Sequence, residues 1–338
     1  MRNRLATLWR SYRTQIVVAA VAVAAVVLVF HGVPNRPSSA SGARAAIGLG
    51  YGAGPGRPSS TPSPASSGRP KAASPTATAT GSEITGPVDP QLFASGACVA
   101  YPPVSGNRDL TVFLDAGHGG ADPGGMGYTL RWHTITEAWV NLQVEMDAMQ
   151  LLTQQGFRVI VSRTNQGLVH PAGPGDMDAG ALTSRGLRAD IAARDVCANM
   201  ADANLLVGIY MNAGYWGGGS VTAYCADRPF AASNERFAGL LQGDVLHELN
   251  SHGYGIPDLG LQTDDQMGSS SGLAADEYGH LMLLGPAKRG YFSTPSQMPG
   301  ALIEPLFLTD PFEASVAASA RGQGLIAQGI THAVMDYF

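Results

Sequence analysis

The stretch Leu110-Thr111-Val112-Phe113-Leu114-Asp115-Ala116-Gly117-His118-Gly119-Gly120 decides the fold. Its first half, LTVFL, has the composition of a buried strand, and the Gly-rich turn behind it ends the strand abruptly. Residues 158–162 (RVIVS) read as a second strand. Between them, Trp139, Leu142, Met146, Met149 and Leu152 recur at helical spacing, Thr134-x-x-Glu137 has the form of a capping box, and Gly156 supplies a stop. A strand, a helix and a strand in this order form the unit from which parallel sheets are built.

The pattern continues outward. A helical stretch at 183–203 precedes strand-like 205–211 (LLVGIYM) and 220–225 (SVTAYC), a helix is expected near 230–252, and a late strand at 301–306. Alternating helices and strands indicate an α/β fold, here a single domain with a mixed, largely parallel sheet flanked by helices. Residues 165–182 and 254–278 are rich in Gly, Pro, Asp and Ser without periodicity and are long for connections, which fits either active-site lids or plain surface insertions.

The N-terminal part has a different character. Residues 1–15 carry four Arg, and residues 16–30 form an unbroken apolar run, so 16–33 reads as a transmembrane signal anchor or a cleaved signal peptide. The Arg residues hold the N-terminus in the cytoplasm. Everything beyond is then extracytoplasmic, on a single-pass anchor in the cell membrane or secreted to the cell wall after cleavage. Residues 34–96 are Pro, Ser, Ala, Gly and Thr with few large aliphatics, too little apolar surface to offset the entropy of ordering, and read as a disordered linker. The folded domain is expected over 97–338.

Charge divides along the same line. Residues 1–71 hold nine basic and no acidic residues, whereas 72–338 holds 12 basic and 26 acidic ones. A domain that acidic is a poor nucleic-acid partner, because phosphate binding relies on clustered Lys and Arg. Cys98, Cys197 and Cys225 in an oxidising compartment imply one disulfide and one remaining thiol, with no CxxC pair for a metal and no sequence signal for which two are joined.

Three residues stand out chemically. His118 falls just beyond the carboxyl end of the first strand, where ligands gather in α/β sheets. Glu137 opens the next helix, an end that favours a carboxylate, and is readable as a site residue or as the second half of the capping box with Thr134. Glu304 interrupts the apolar run ALIEPLF, and an ionisable group in a buried strand is costly unless a metal, a cation or a hydrogen-bond network compensates.

Together these pieces resemble the type 3 N-acetylmuramoyl-L-alanine amidases, a zinc-dependent cell-wall family, across essentially all of 110–338. The family's opening LDAGHGG-x-DPG stands here as residues 114–124, with its first zinc-binding His on His118. Its zinc-binding Glu, ahead of Asn-Leu, corresponds to Glu137 before Asn141 and Leu142, and its R-x-x-x-AN stretch to Arg194, Ala198 and Asn199. Its closing E-x-x-F-x-T/S-N/D block, with the catalytic Glu, matches Glu304, Phe307, Thr309 and Asp310. The resemblance implies a Zn cofactor, peptidoglycan as substrate, and hydrolysis of the amide between N-acetylmuramic acid and L-alanine with Glu304 as the proton carrier. It names no activator protein.

One departure bears on the metal. The family's S-I-H-x-N strand ending appears as Gly208-Ile209-Tyr210-Met211-Asn212, so Tyr210 stands where the last zinc-binding His belongs. A phenol binds zinc only if the metal removes its proton, whereas a neutral imidazole is available at pH 7. A weaker site, a phenolate ligand, or a His supplied from a loop by His133, His170 or His280 are the active readings. The alternative is a catalytically impaired amidase-like module that binds peptidoglycan or regulates its turnover. Pro305 also replaces a residue with a backbone donor after Glu304.

Two further motifs are set aside. His247-Glu248-Leu249-Asn250-Ser251-His252 spaces its histidines five apart instead of the four a metalloprotease helix needs. Gly268-Ser269-Ser270-Ser271-Gly272 matches a nucleophile elbow, yet no strand-like run precedes it. Arg194 is expected to pair with a carboxylate in packing.

Overall fold

The computed structural model describes residues 82–83, 92–214, 217–267 and 278–338. The expected membrane segment, most of the expected linker and the 268–272 motif lie outside them. Among the described residues, no helix is long and apolar enough to cross a membrane.

In chain order the elements are β1 (Ser82–Glu83), β2 (Ala97–Tyr101), β3 (Thr111–Ala116), β4 (Met126–Tyr128), β5 (Thr134–Thr136), α1 (Glu137–Gln154), β6 (Arg158–Arg163), β7 (Met177–Asp178), β8 (Ala181–Leu182), α2 (Ser184–Met200), β9 (Leu205–Ile209), β10 (Ser220–Tyr224), α3 (Ala231–Ser251), β11 (Asp258–Thr263), α4 (Asp264–Met267), β12 (Gly300–Glu304), α5 (Pro311–Ala317) and α6 (Ala320–Tyr337). Eight strands form one sheet in the order β1-β2-β6-β3-β9-β12-β10-β11. The central four, β6, β3, β9 and β12, are parallel. β2 runs antiparallel to β6, and β10 antiparallel to β12 but parallel to β11. The sheet is therefore mixed, as expected.

Successive side chains in a strand face opposite sides, and the core divides accordingly. Val112, Leu114, Val159, Val161, Val207, Ile209 and Ile303 face α1, α3 and α6. Phe113, Ile160, Leu206 and Leu302 face the other way, towards α2 and the segment carrying Leu283 and Met298. With both faces covered, the central strands are nearly continuous apolar runs, which is why they were legible.

Several local expectations change. Thr134 lies in β5, and α1 begins at Glu137 after Thr136, whose side chain caps nothing, so the capping box does not form. Trp139 is exposed, and the buried stripe of α1 runs instead through Ala138, Leu142, Glu145, Met149 and Leu152. The late strand stops at Glu304, because Pro305 has no N–H to extend the ladder. Residues 258–263, expected within a loop, form edge strand β11, and 165–182 contains the small β7–β8 hairpin. Cys98 and Cys197 are joined, tying strand β2 to α2, and Cys225 is the buried free thiol.

Candidate active site at the sheet's carboxyl edge

The chain turns sharply after β3. His118 adopts φ 61°, a left-handed conformation costly for a residue with a Cβ and found where the surroundings enforce it. Arg194 enforces it. Its guanidinium, buried in α2, donates to the His118 carbonyl at 2.8 Å, to the Ala116 carbonyl at 2.7 Å, and to Asp115 and Asp190 at 2.7 and 2.8 Å. The expected packing role of Arg194 is thus also a means of shaping the His118 turn. From the opposite side, fully buried Arg163 donates to the carbonyls of Ala116, Gly117 and Ala138, and Glu145 accepts the Ala116 N–H at 3.1 Å.

The imidazole lies between two carboxylates. Nδ1 is 2.8 Å from Asp122 Oδ2, and Nε2 is 3.1 Å from Glu137 Oε1. Burial pulls the His118 pKa down, but Glu137 and Asp122 outweigh it and hold it up at about 10. Burial alone would raise Glu137, yet the charge of His118 and the N–H groups of Gly125 (2.8 Å) and Met211 (3.1 Å) keep it ionised and below its ordinary value. The backbone donors are Gly125, just before β4, and Met211, just beyond β9, so Glu137 is placed partly by its own neighbourhood and partly by a strand end remote in sequence.

Glu304, the last residue of β12, lines the same cavity of ≈ 650 Å³ as His118 and Glu137. Burial first, then the negative charge of Glu137, pushes its pKa up to about 8, against the opposing pulls of His118 and Asn212. Asn212 donates to Glu304 Oε2 at 2.6 Å.

Tyr210 also lines the cavity, its ring edge-on to His118 with centroids 5.5 Å apart. Its hydroxyl, however, donates to Asp115 Oδ2 at 3.1 Å. Burial and then the Asp115 charge push the phenol well above its ordinary value, so it is a neutral donor. Gly117 makes this position available: a Cβ there would stand 2.2 Å from Tyr210 Cε1. Of the histidines considered as replacements, His133 is exposed, His170 lies 3.6 Å from Asp176, and His280 lines the cavity but faces Asp264 at 3.2 Å. None of the three bonds to His118 or Glu137 among the described residues.

The structure thus brings His118, Glu137 and Glu304 to one cavity, gives roles to Asp122, Asp115 and Asn212, which stand in the motifs without an assigned one, and adds Arg163 and Glu145. Arg163 and Glu145 carry the signal that singled out Glu304, an ionisable side chain among apolar neighbours. In the set-aside helix motif, His247 is exposed and the His252 ring bonds the Glu248 carbonyl at the end of α3. A separate cluster, Cys225, Asp264 and His280, has ligand-type atoms all within 4.8 Å of one another.

The sequence profile of the family described as N-acetylmuramoyl-L-alanine amidase matches residues 112–336. A germination-specific N-acetylmuramoyl-L-alanine amidase of Bacillus subtilis (strain 168) is 26% identical over 239 residues, covering 70% of this chain and 81% of the relative. The uncharacterized protein YqiI of the same organism is 24% identical, covering 71% and 88%. Among solved structures, an N-acetylmuramoyl-L-alanine amidase from Clostridium difficile 630 is 24% identical with a TM-score of 0.46, over 68% of this chain and 96% of that one.

Proposed function

The chain belongs to the N-acetylmuramoyl-L-alanine amidase family and is an amidase, and from that premise we propose that it uses zinc to hydrolyse the bond between the lactyl group of N-acetylmuramic acid and the L-alanine of the peptidoglycan stem peptide. The observation that carries the reading is the convergence of His118 Nε2 and Glu137 Oε1, 3.1 Å apart, on a cavity that Glu304 also lines.

The donor set fits a metal at this point. Neighbouring ligands of a tetrahedral zinc stand about 3.3–3.6 Å apart, given bonds of about 2.0–2.2 Å to N and O, a little wider than the 3.1 Å between His118 Nε2 and Glu137 Oε1. Asp122 on Nδ1 leaves Nε2 as the ligand atom, the usual second carboxylate behind a metal-binding imidazole. A cation would take the place of the proton that His118 and Glu137 now hold between them. His118 and Glu137 would therefore hold the ion. Tyr210, engaged as a donor to Asp115, supports a role in fixing Asp115 and the His118 turn rather than one as a phenolate ligand.

A zinc ion held by His118 and Glu137 would supply Lewis acidity, making water more acidic and the scissile carbonyl more electrophilic. Glu304 takes the proton from the attacking water and returns it to the leaving L-alanine amine, with Asn212 holding one of its carboxylate oxygens. A positive charge beside Glu304 favours its ionised form, which suits it to the base role. The basic N-terminus, apolar run and Pro/Ser-rich stretch support a domain tethered to or exported across the cytoplasmic membrane, on the side where that substrate lies.

The test is cleavage of a purified muramoyl-peptide by the full chain before and after chelation. Loss on chelation, recovery with zinc, and no recovery in His118→Ala are expected. Binding of peptidoglycan without cleavage by the zinc-loaded protein would instead support the non-catalytic module.

A further inference from the structure

Cys225, Asp264 and His280 come from three segments and meet beside the cavity. Cys225 follows β10 and is fully buried, Asp264 opens α4 directly after β11 with a side chain 1% exposed, and His280 belongs to the cavity wall. His280 Nδ1 is 3.2 Å from each oxygen of Asp264 and 3.9 Å from Cys225 Sγ. In a tetrahedral site with Zn–S of about 2.3 Å and Zn–N or Zn–O of about 2.0–2.2 Å, ligand atoms are separated by about 3.2–3.7 Å. The His280–Asp264 separation is close to that spacing, the His280–Cys225 separation is slightly longer, and all three ligand-type atoms lie within 4.8 Å of one another.

Their supports are those of a metal site. The Leu281 N–H donates to Asp264 Oδ2 at 3.2 Å, and the other ring nitrogen of His280 lies 3.6 Å from Asp227 Oδ2, so a carboxylate stands behind the imidazole. Burial pushes the Cys225 thiol up to about 12, so in the absence of a cation it is neutral, whereas a bound divalent ion deprotonates a coordinating thiol outright. The mixed thiolate, imidazole and carboxylate set selects zinc-type ions over magnesium or calcium, which take oxygen ligands.

We propose that Cys225, Asp264 and His280 form a second, zinc-type metal site, distinct from the one at His118 and Glu137, in which binding releases the Cys225 proton. Its ion fastens the cavity wall carrying His280 to the β10–β11 edge of the sheet. Water completes the coordination. The inference does not rest on the amidase reading: His280 lines the same cavity, but Cys225, Asp264 and His280 bond neither His118 nor Glu137.

Cobalt(II) distinguishes the two sites. Only Cys225 can supply a thiolate, since Cys98 and Cys197 are bonded to each other. The full chain, purified in detergent without reductant and titrated with cobalt(II), should develop a thiolate-to-cobalt charge-transfer band in the near ultraviolet. The band should persist in His118→Ala and vanish in Cys225→Ala. In His280→Ala and Asp264→Asn its half-saturation should rise by at least the roughly 10- to 100-fold that loss of a mere supporting residue causes. No band in the folded wild type, or a band of unchanged affinity in both the His280 and Asp264 variants, would overturn the proposal. Failure of the proposed function appears separately, as no cleavage by the zinc-loaded chain, or as cleavage that survives His118→Ala and so does not use the His118 site.

Discussion

Glu304 is asked to be a base in a place that favours its neutral form. Its folded pKa of about 8 lies above the ordinary 4.5, so without metal the native state retains a proton that the unfolded chain has released. The same holds for His118, raised from 6.5 to about 10. When the folded state binds more protons, stability falls as pH rises. For Glu304 the loss accumulates from about pH 4.5 to 8, and for His118 from about 6.5 to 10. The metal-free protein should therefore have a lower Tm at pH 9 than at pH 6, and Glu304→Gln should reduce that drop; equal drops in thermal melts of the two proteins would contradict the assignment. Tyr210 gives a second check at this scale. Tyr210→Phe removes a hydrogen bond to a charged group, worth roughly 1.5–3 kcal/mol, but no ligand, so zinc retention should hold while the melting temperature falls. Tyr210→His should tighten zinc retention and raise hydrolysis by restoring an imidazole, and a loss of zinc in the Phe variant would mean that the phenol is a ligand after all. His118 and Glu304 were legible because each breaks a local pattern, a histidine in a Gly-rich turn and a carboxylate in an apolar strand. Glu137 was ambiguous because Thr134-x-x-Glu137 spacing fits a cap equally well. Only the β4–β5 hairpin, which sequence periodicity does not reveal, turns Thr134 into a strand residue and frees the carboxylate.

At the scale of elements, the central strands announced themselves because both faces are buried, leaving continuous runs of Val, Ile and Leu. The edges did not. β11 reads Asp-Leu-Gly-Leu-Gln-Thr, with Leu259 and Leu261 exposed and Gly260 at φ 79°, a composition that looks like loop until a partner strand is known. β2 is held from outside as well as by its hydrogen bonds, since Cys98 is bonded to Cys197 in α2 across 99 residues of sequence. That pairing was beyond reach from spacing alone because three cysteines allow three choices. Replacing both with Ala should cost about 2–5 kcal/mol, read from denaturant titration, by releasing the unfolded chain from a long closed loop. An unchanged midpoint would mean that the bond does not form in the native protein. Because α2 also carries Arg194, the same variant should loosen the His118 turn and lower activity along with stability.

Over the whole molecule, the site exists only where the carboxyl ends of β3, β9 and β12 meet the start of α1. No segment holds more than one of His118, Glu137 and Glu304, and Asn212 and Met211, just beyond β9, orient Glu304 and Glu137 respectively. This explains why the order of motifs carried more information than any single motif. It also explains why Arg163 and Glu145 were missed, since they act on the backbone of a turn that only the assembled sheet brings near them. The central claim is that this assembly performs amide hydrolysis with Glu304 as proton carrier. It is tested most directly by incubating zinc-loaded wild type and Glu304→Gln with a purified muramoyl-peptide and identifying the products by mass spectrometry. The account predicts that wild type releases a stem peptide with a free L-alanine amino terminus, and that Glu304→Gln, folded and retaining its zinc, is slower by about 10²- to 10⁴-fold. Release at the wild-type rate by Glu304→Gln, or no release by folded, zinc-loaded wild type, would contradict it.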